Sequence, residues 1–321
     1  MDISIVIVNW NTKDDLRAAL QSCYDHGEPR RIETIVIDNG SSDGSVEMVR
    51  EEFPQTTLLA NSDNRGYTAA CNQGMREAVG RYYLMLNSDA QLTAGCLQEL
   101  VRVMDAYPDI GTAGAQLHYP DGSDQPSAYR FPTLSSRLLP AKWVQAAEAI
   151  SAAPSGGSAN IYQVDWVVGA CHLVRAEAVA QVGMMDERIF MWYDDADWCL
   201  RMAQAGWRRV VAVEAVCVHK ARKSAEALPP LRRNLQMSMS EFAYFRLHHG
   251  AIKTAALWAA RTMYSLAKTI AFGLVWPLMA GRNRRIAEAL SFNWGRLRFH
   301  LRHIADILWR APKPYRAEDV K

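Results

Sequence analysis

The residues best suited to chemistry in this chain stand where short apolar runs end. Ile3-Ser4-Ile5-Val6-Ile7-Val8 leads into Asn9-Trp10-Asn11, Thr34-Ile35-Val36-Ile37 into Asp38-Asn39-Gly40-Ser41-Ser42-Asp43-Gly44, and Tyr82-Tyr83-Leu84-Met85-Leu86 into Asn87-Ser88-Asp89. Asp and Asn often cap the helix that follows them, which would account for any one of these ends. Three at one sheet edge point to a shared polar site. The third of these ends carries a carboxylate at Asp89 and a neutral amide oxygen at Asn87. His219 ends another apolar run and offers an imidazole nitrogen. Farther along, Asp194, Asp195 and Asp197 fall within four residues. A helix's first turn favours acids, but three together repel, and repulsion raises one carboxylate toward the range of a general base.

The elements that must carry these residues are legible as a pattern. β-Branched apolar runs alternate with segments of helical spacing, such as Leu16, Ala19, Leu20 and Cys23, and this is the signature of a buried parallel sheet. The pattern predicts helices over 44–53, 69–78 and 94–107 and strands over 57–59, 82–86 and 111–117. A wound βαβ sheet places its ligand at the carboxyl ends of its strands. Residues 119–159, rich in Pro, Ser and Gly, read as loops around a short helix at 142–150. A strand over 164–174, helices over 177–182 and 195–205, and a strand over 210–218 follow.

Among 321 residues the formal net charge is only +2, but it is unevenly spread. Residues 1–228 hold 20 Lys+Arg against 29 Asp+Glu, whereas 229–321 hold 16 against 5. In this basic tail Lys253, Arg261 and Lys268 fall within an arc of about 80° on a helix, while Ile252, Ala259, Met263, Leu266 and Ile270 share another face that Leu257 breaks. A second stripe, Trp294, Leu297, Leu301, Ile304 and Leu308, is flanked by Arg296, Arg298 and Arg302. Basic amphipathic helices carrying Trp258, Trp276, Trp294 and Trp309 suit an anionic membrane surface or, alternatively, packing in a homo-oligomer. No segment looks like a nucleic-acid-binding module. The start of the chain lacks a signal-peptide pattern, and the longest uncharged apolar run, Thr269–Gly281, has 13 residues, too few to span a bilayer. The six cysteines form no CxxC pair, which fits a reducing, cytoplasmic setting.

Five segments in order resemble the family 2 glycosyltransferases of the α/β GT-A fold: Ile5 to Asn11, Val36 to Gly44, Asn64-Arg65-Gly66-Tyr67, Leu86 to Ala90, and Tyr193 to Arg201. Within that family the chain most resembles bacterial rhamnosyltransferases of cell-wall and O-antigen polysaccharide. The resemblance, which covers roughly residues 1 to 250, implies a catalytic domain over 1–228, with a nucleotide-sugar half (1–118) and an acceptor half (119–228). A helical region over 229–321 completes the chain. It implies that Asp38 accepts from the N3–H of a pyrimidine, with Asn9, Asn11, Asn64, Arg65, Gly66, Asn87 and Ser88 around the nucleotide. Asp89 and His219 would hold Mg2+ or Mn2+, although Asn87 departs from the family's double-acid motif. Asp195 would be the catalytic base, or Asp194 if the motif is read one residue earlier. Trp166, Gly169, Ala170, Trp192 and Asp197 would line the acceptor side.

The implied reaction is inverting transfer from dTDP-rhamnose, or from a UDP-hexose, to a glycan or a polyprenyl-diphosphate-linked acceptor on the cytoplasmic face of the inner membrane. The processive members' Gln-x-x-Arg-Trp motif is absent. A nucleotidyltransferase would carry a Gly-rich basic loop after its first strand, and Asn9-Trp10-Asn11-Thr12 is not one. A non-catalytic sugar-nucleotide-binding scaffold would have lost the Asp195 cluster, which is intact.

Overall fold

A computed structural model describes residues 2–27, 32–138, 143, 160–221, 228–278 and 283–315. Apart from residue 143, the helix expected at 142–150 lies outside them. The elements run β1 (Ile3–Asn9), α1 (Lys13–His26), β2 (Ile32–Asp38), α2 (Ser45–Glu52), β3 (Thr57–Ala60), α3 (Tyr67–Glu77), β4 (Tyr82–Asn87), β5 (Ala90–Leu92), α4 (Cys96–Ala106) and β6 (Ile110–His118). There follow β7 (Ala128–Tyr129), α5 (Leu134–Arg137), β8 (Ile161–Gln163), β9 (Trp166–Val167), β10 (Cys171–Arg175), α6 (Ala176–Val182), α7 (Asp194–Gln204) and β11 (Arg208–His219). The last four are α8 (Pro230–His248), α9 (Gly250–Leu278), α10 (Arg284–Arg302) and α11 (Ile304–Leu308).

The chain divides into two compact units. The first comprises Met1–Pro132, Lys142–Asp186 and Asp194–Ala227, and the second Thr133–Ala141, Glu187–Tyr193 and Leu228–Lys321. A mainly parallel mixed sheet, ordered β3-β2-β1-β4-β10-β6-β11-β5 with β8 also on β11, forms the first. β1 pairs in parallel with β2 and β4, whereas β10 lies antiparallel to both β4 and β6. Both faces are covered, as the uninterrupted apolar runs require. Ile5, Ile7 and Leu84 pack toward Leu16, Leu20 and Leu100, and Val6, Ile35 and Met85 toward Met75, Trp198 and Met202.

Two sequence expectations change here. The single strand expected over 164–174 is broken at Gly169-Ala170: Trp166–Val167 pairs with β7 in a separate two-stranded sheet, and Cys171–Arg175 enters the main one. β5, β7 and β8 were not expected, being two or three residues long and too short to show a period.

In the second unit the helices surround a buried carboxylate. Glu241 accepts from Arg137 Nε at 2.9 Å, Arg261 Nη2 at 3.0 Å and the Tyr193 hydroxyl at 3.0 Å. Burial raises its pKa, but Arg261 and Arg137 outweigh that and hold it below the ordinary range. The stripes expected in the tail are rearranged. Leu257, which seemed to break a face, is fully buried, while Met263, Ile270 and Leu266 of that face are exposed. On α10 Leu297 and Arg296 are buried, but Trp294 and Leu301 lie about half open.

Candidate active site

Strand register lays the floor of the site, all of it within the first unit. Asn9 stands opposite Asp38, and Val8 opposite Asn87, so three polar strand ends lie abreast. Asn9 Nδ2 donates to Asp38 Oδ2 at 2.8 Å and to Ser41 Oγ at 3.1 Å. Thr12 Oγ1 donates to Asn9 Oδ1 at 2.7 Å and meets Ser88 Oγ at 2.8 Å. Asp38, almost fully buried, also accepts from the Ser41 N–H at 2.8 Å. Asn11 takes a left-handed φ of 52°, stabilised where its N–H donates to Ser41 Oγ and its Oδ1 accepts from the Ser42 N–H.

The entry to α3 is tied to the same edge. Asn64 Oδ1 accepts from the Gly66 N–H at 3.0 Å, and Asn39 Nδ2 donates to the Gly66 carbonyl at 3.1 Å. Gly66, with φ 93° and ψ 162°, occupies backbone space open to glycine alone. Arg65 is exposed, its guanidinium 3.6 Å from the Asp63 carboxylate. Asn39 and Asn61, whose amides link at 3.1 Å, are parts of this edge that sequence reasoning missed.

The antiparallel pairing of β11 with β5 sets His219 opposite Ala90 and so beside Asp89. His219 Nε2 lies 3.3 Å from Asp89 Oδ1 and 3.4 Å from Asn87 Nδ2, and its Nδ1 lies 3.0 Å from Gln125 Oε1. With Nδ1–H donating to Gln125, the Nε2 lone pair is left on the side of the Asp89 carboxylate, one nitrogen and one oxygen donor 3.3 Å apart. That donor set fits a divalent cation. Among the described residues no cluster of three or more His, Cys, Asp or Glu has metal-holding geometry. Tyr67 donates to Asn87 Oδ1 at 3.3 Å; burial first, then Cys71 and Asp194, push its phenol well up. Neither Gln125 nor Tyr67 was singled out by spacing.

Asp195, in the first turn of α7, is joined to this edge through the Gly169-Ala170 turn. Its Oδ2 accepts from the Gly169 N–H at 3.2 Å, and the Ala170 carbonyl accepts from the Asn87 N–H at 3.0 Å. Asp195 keeps an opening to solvent, yet its surroundings exclude enough water to push its pKa up to about 6. Burial is the leading cause, not the like-charge repulsion expected from the sequence; the Gly169 and Ala196 amides oppose it. Asp194 is buried beside it at the helix start.

Other expected residues are engaged elsewhere. Asp197 is buried in an ion pair with Arg201 at 2.8 Å, whose guanidinium also donates to the Val182 carbonyl and so pins α7 to the end of α6. Trp166 stacks on Tyr129 at 4.9 Å and donates to the Arg130 carbonyl. Trp192 belongs to the second unit and, like Tyr193, has a left-handed φ of 64°.

A family model described as "Glycosyl transferase family 2" matches residues 4–169. The chain is 30% identical over 210 residues to the N-acetylglucosaminyl-diphospho-decaprenol L-rhamnosyltransferase of Mycobacterium tuberculosis, an overlap of 59% of this chain and 67% of that protein. It is 25% identical over 234 residues to the O-antigen biosynthesis protein RfbC of Myxococcus xanthus, which covers 71% of this chain and 18% of that one. Among solved structures, the mannosyltransferase PcManGT from Pyrobaculum calidifontis, in complex with GDP-Man and Mn2+, superposes with a TM-score of 0.52 at 18% identity, covering 96% and 87% of the two chains. GalNAc-T7 with UDP, GalNAc and Mn2+ reaches 0.57 at 14% identity, covering 77% and 51%. At these identities the structural likeness establishes the fold.

Proposed function

This chain belongs to glycosyl transferase family 2 and has the GT-A fold, and from that premise we propose that it moves rhamnose from dTDP-rhamnose to a hydroxyl of a glycan or polyprenyl-diphosphate-linked acceptor, with inversion. The mycobacterial relative, named for rhamnosyl transfer to a decaprenol-linked sugar, supports the donor sugar and acceptor class. In this reading 1–228 is the catalytic domain, divided near 118 between donor and acceptor, and 229–321 meets an anionic membrane on its cytoplasmic face as a peripheral attachment.

The observation that carries the mechanism is the Gly169-Ala170 turn, which joins Asp195 on one side to the Asn87 strand end on the other. Asp195 takes the proton of the acceptor hydroxyl, and the freed oxygen attacks the anomeric carbon as the nucleoside diphosphate leaves from the opposite face. A carboxylate of pKa about 6 is mostly ionised at neutral pH and still basic enough for this role. Asp38 turns an acceptor lone pair toward a pyrimidine N3–H. Asn9, Asn11, Asn64, Arg65, Gly66 and Ser88 shape the nucleotide's bed, Asp194 supports the base, and Gly169, Ala170 and Trp166 border the acceptor. Asp89 and His219 would hold Mg2+ or Mn2+, whose positive charge would stabilise the departing diphosphate.

The test is turnover by purified protein of dTDP-, UDP- and GDP-sugars with Mg2+ or Mn2+, native against Asp195→Asn. Turnover of dTDP-rhamnose that collapses in the variant supports donor and base together. Preference for a UDP-hexose keeps the mechanism and replaces the sugar, while donor binding without turnover of any donor overturns the reading in favour of a sugar-nucleotide-binding scaffold.

A further inference from the structure

The longest helix of the second unit is turned inside out. α9 runs for 29 residues, and its inward positions include Thr254, Thr262 and Ser265, all buried, with Leu257. The hydroxyls of Thr254 and Ser265 are satisfied by the carbonyls four residues back, which lets a polar face go inward. Its outward positions carry Ile252, Met263, Leu266, Ile270 and Leu274, which are 86, 68, 44, 53 and 68% exposed. At 100° per residue these five fall within an arc of about 80°, an unbroken stripe some 33 Å long that contains no charge. A soluble helix does the reverse, and an apolar strip of this length left in water marks an interaction surface.

We propose that this stripe of α9 lies in the headgroup region of an anionic bilayer, with the helix parallel to the membrane plane. Charge complementarity selects that occupant over a second copy of the chain. Residues 229–321 hold 16 Lys+Arg against 5 Asp+Glu, so two copies set face to face would repel, whereas anionic lipid is attracted. Exposed Lys253 borders the stripe beside Ile252, and α10 repeats the pairing on its open face, where Trp294 and Leu301 alternate with Arg298 and Arg302. No helix among the described residues is long and apolar enough to cross a membrane, so insertion stops at the interface. The inference deepens the proposed function and rests on it only for why the enzyme should seek a membrane.

The experiment is sedimentation of the full chain with vesicles of phosphatidylglycerol and phosphatidylethanolamine, against vesicles of phosphatidylcholine alone. Native protein and a Met263→Glu/Ile270→Glu double variant are compared, with donor hydrolysis in bulk solution and solution mass measured for each. The expected result is binding to the anionic vesicles that weakens with salt and falls by at least about tenfold in the variant, hydrolysis unchanged. Equal partitioning of the two proteins overturns the proposal. So does a native dimer that the substitutions dissolve without any vesicle binding, which assigns the stripe to a second copy. Absent hydrolysis in both proteins, with vesicle binding intact, would instead refute the proposed function and leave the surface standing.

Discussion

Asp195 and His219 show how single side chains acquire properties that their neighbours in sequence do not confer. Burial, opposed by the Gly169 amide, sets the Asp195 pKa near 6, so the proposed base works only above that value. The logarithm of kcat/KM should therefore fall with unit slope as pH drops below about 6, measured by release of the nucleoside diphosphate. Asp195→Asn should lower kcat by about 10²–10⁴ while the melting temperature stays near native. For His219 the governing neighbour is Gln125, which holds Nδ1 and leaves Nε2 facing Asp89. Gln125→Leu should weaken binding of Mn2+ alone by about 10–100-fold in calorimetry, with Gln125→Glu retaining it. Unchanged affinity in the leucine variant would remove Gln125 as a positioning residue.

At the scale of elements, β10 is the strand whose placement matters most, because it lies between the parallel group β3-β2-β1-β4 and the β6–β11 pair. It carries a fully buried His172 packed edge-on against Trp198 at 5.8 Å, neither ring nitrogen having a hydrogen-bond partner. Burial pushes its pKa down to about 3. Because the folded value lies below the unfolded one of about 6.5, the unfolded chain takes up the proton first as pH falls. The contribution is complete above about pH 6.5 and is lost progressively toward about 3. His172→Leu should remove about 2 kcal/mol of the native protein's stability difference between pH 7 and pH 5, read from urea titrations. An identical pH dependence in the two proteins would refute this. At the entry to α3, Gly66→Ala should cost about 1–3 kcal/mol, because the backbone there is open only to glycine.

For the whole molecule the division of charge is the governing feature, an acidic 1–228 and a basic 229–321 hidden within a net +2. An anionic sheet of lipid attracts only the second region. Transfer to a lipid-linked acceptor in anionic vesicles should accordingly slow as ionic strength rises and the Debye length shrinks to about 3 Å near 1 M. Donor hydrolysis in bulk solution should keep its rate. Equal salt sensitivity of the two reactions would remove the membrane from the account.

Much of the polar edge formed by β1, β2 and β4 was determined by the sequence alone. The apolar runs of β1, β2 and β4 alternate with helical spacing, and each ends in the polar residue that the register then sets abreast, because strand and helix periods are local and survive in one dimension. What only the tertiary structure decided lies in pairings between distant segments. The β11–β5 ladder brings His219 to Asp89, the break at Gly169 turns an expected strand into the link between Asp195 and Asn87, and Gln125 arrives from the irregular segment between β6 and β7, where no period marks it. The same limit governs α9. Periodicity separated its apolar stripe, but which side turned inward depended on the helices packed against it, which covered Thr254, Leu257 and Ser265, the two hydroxyls bonded to carbonyls of α9 itself, and left the apolar stripe outside.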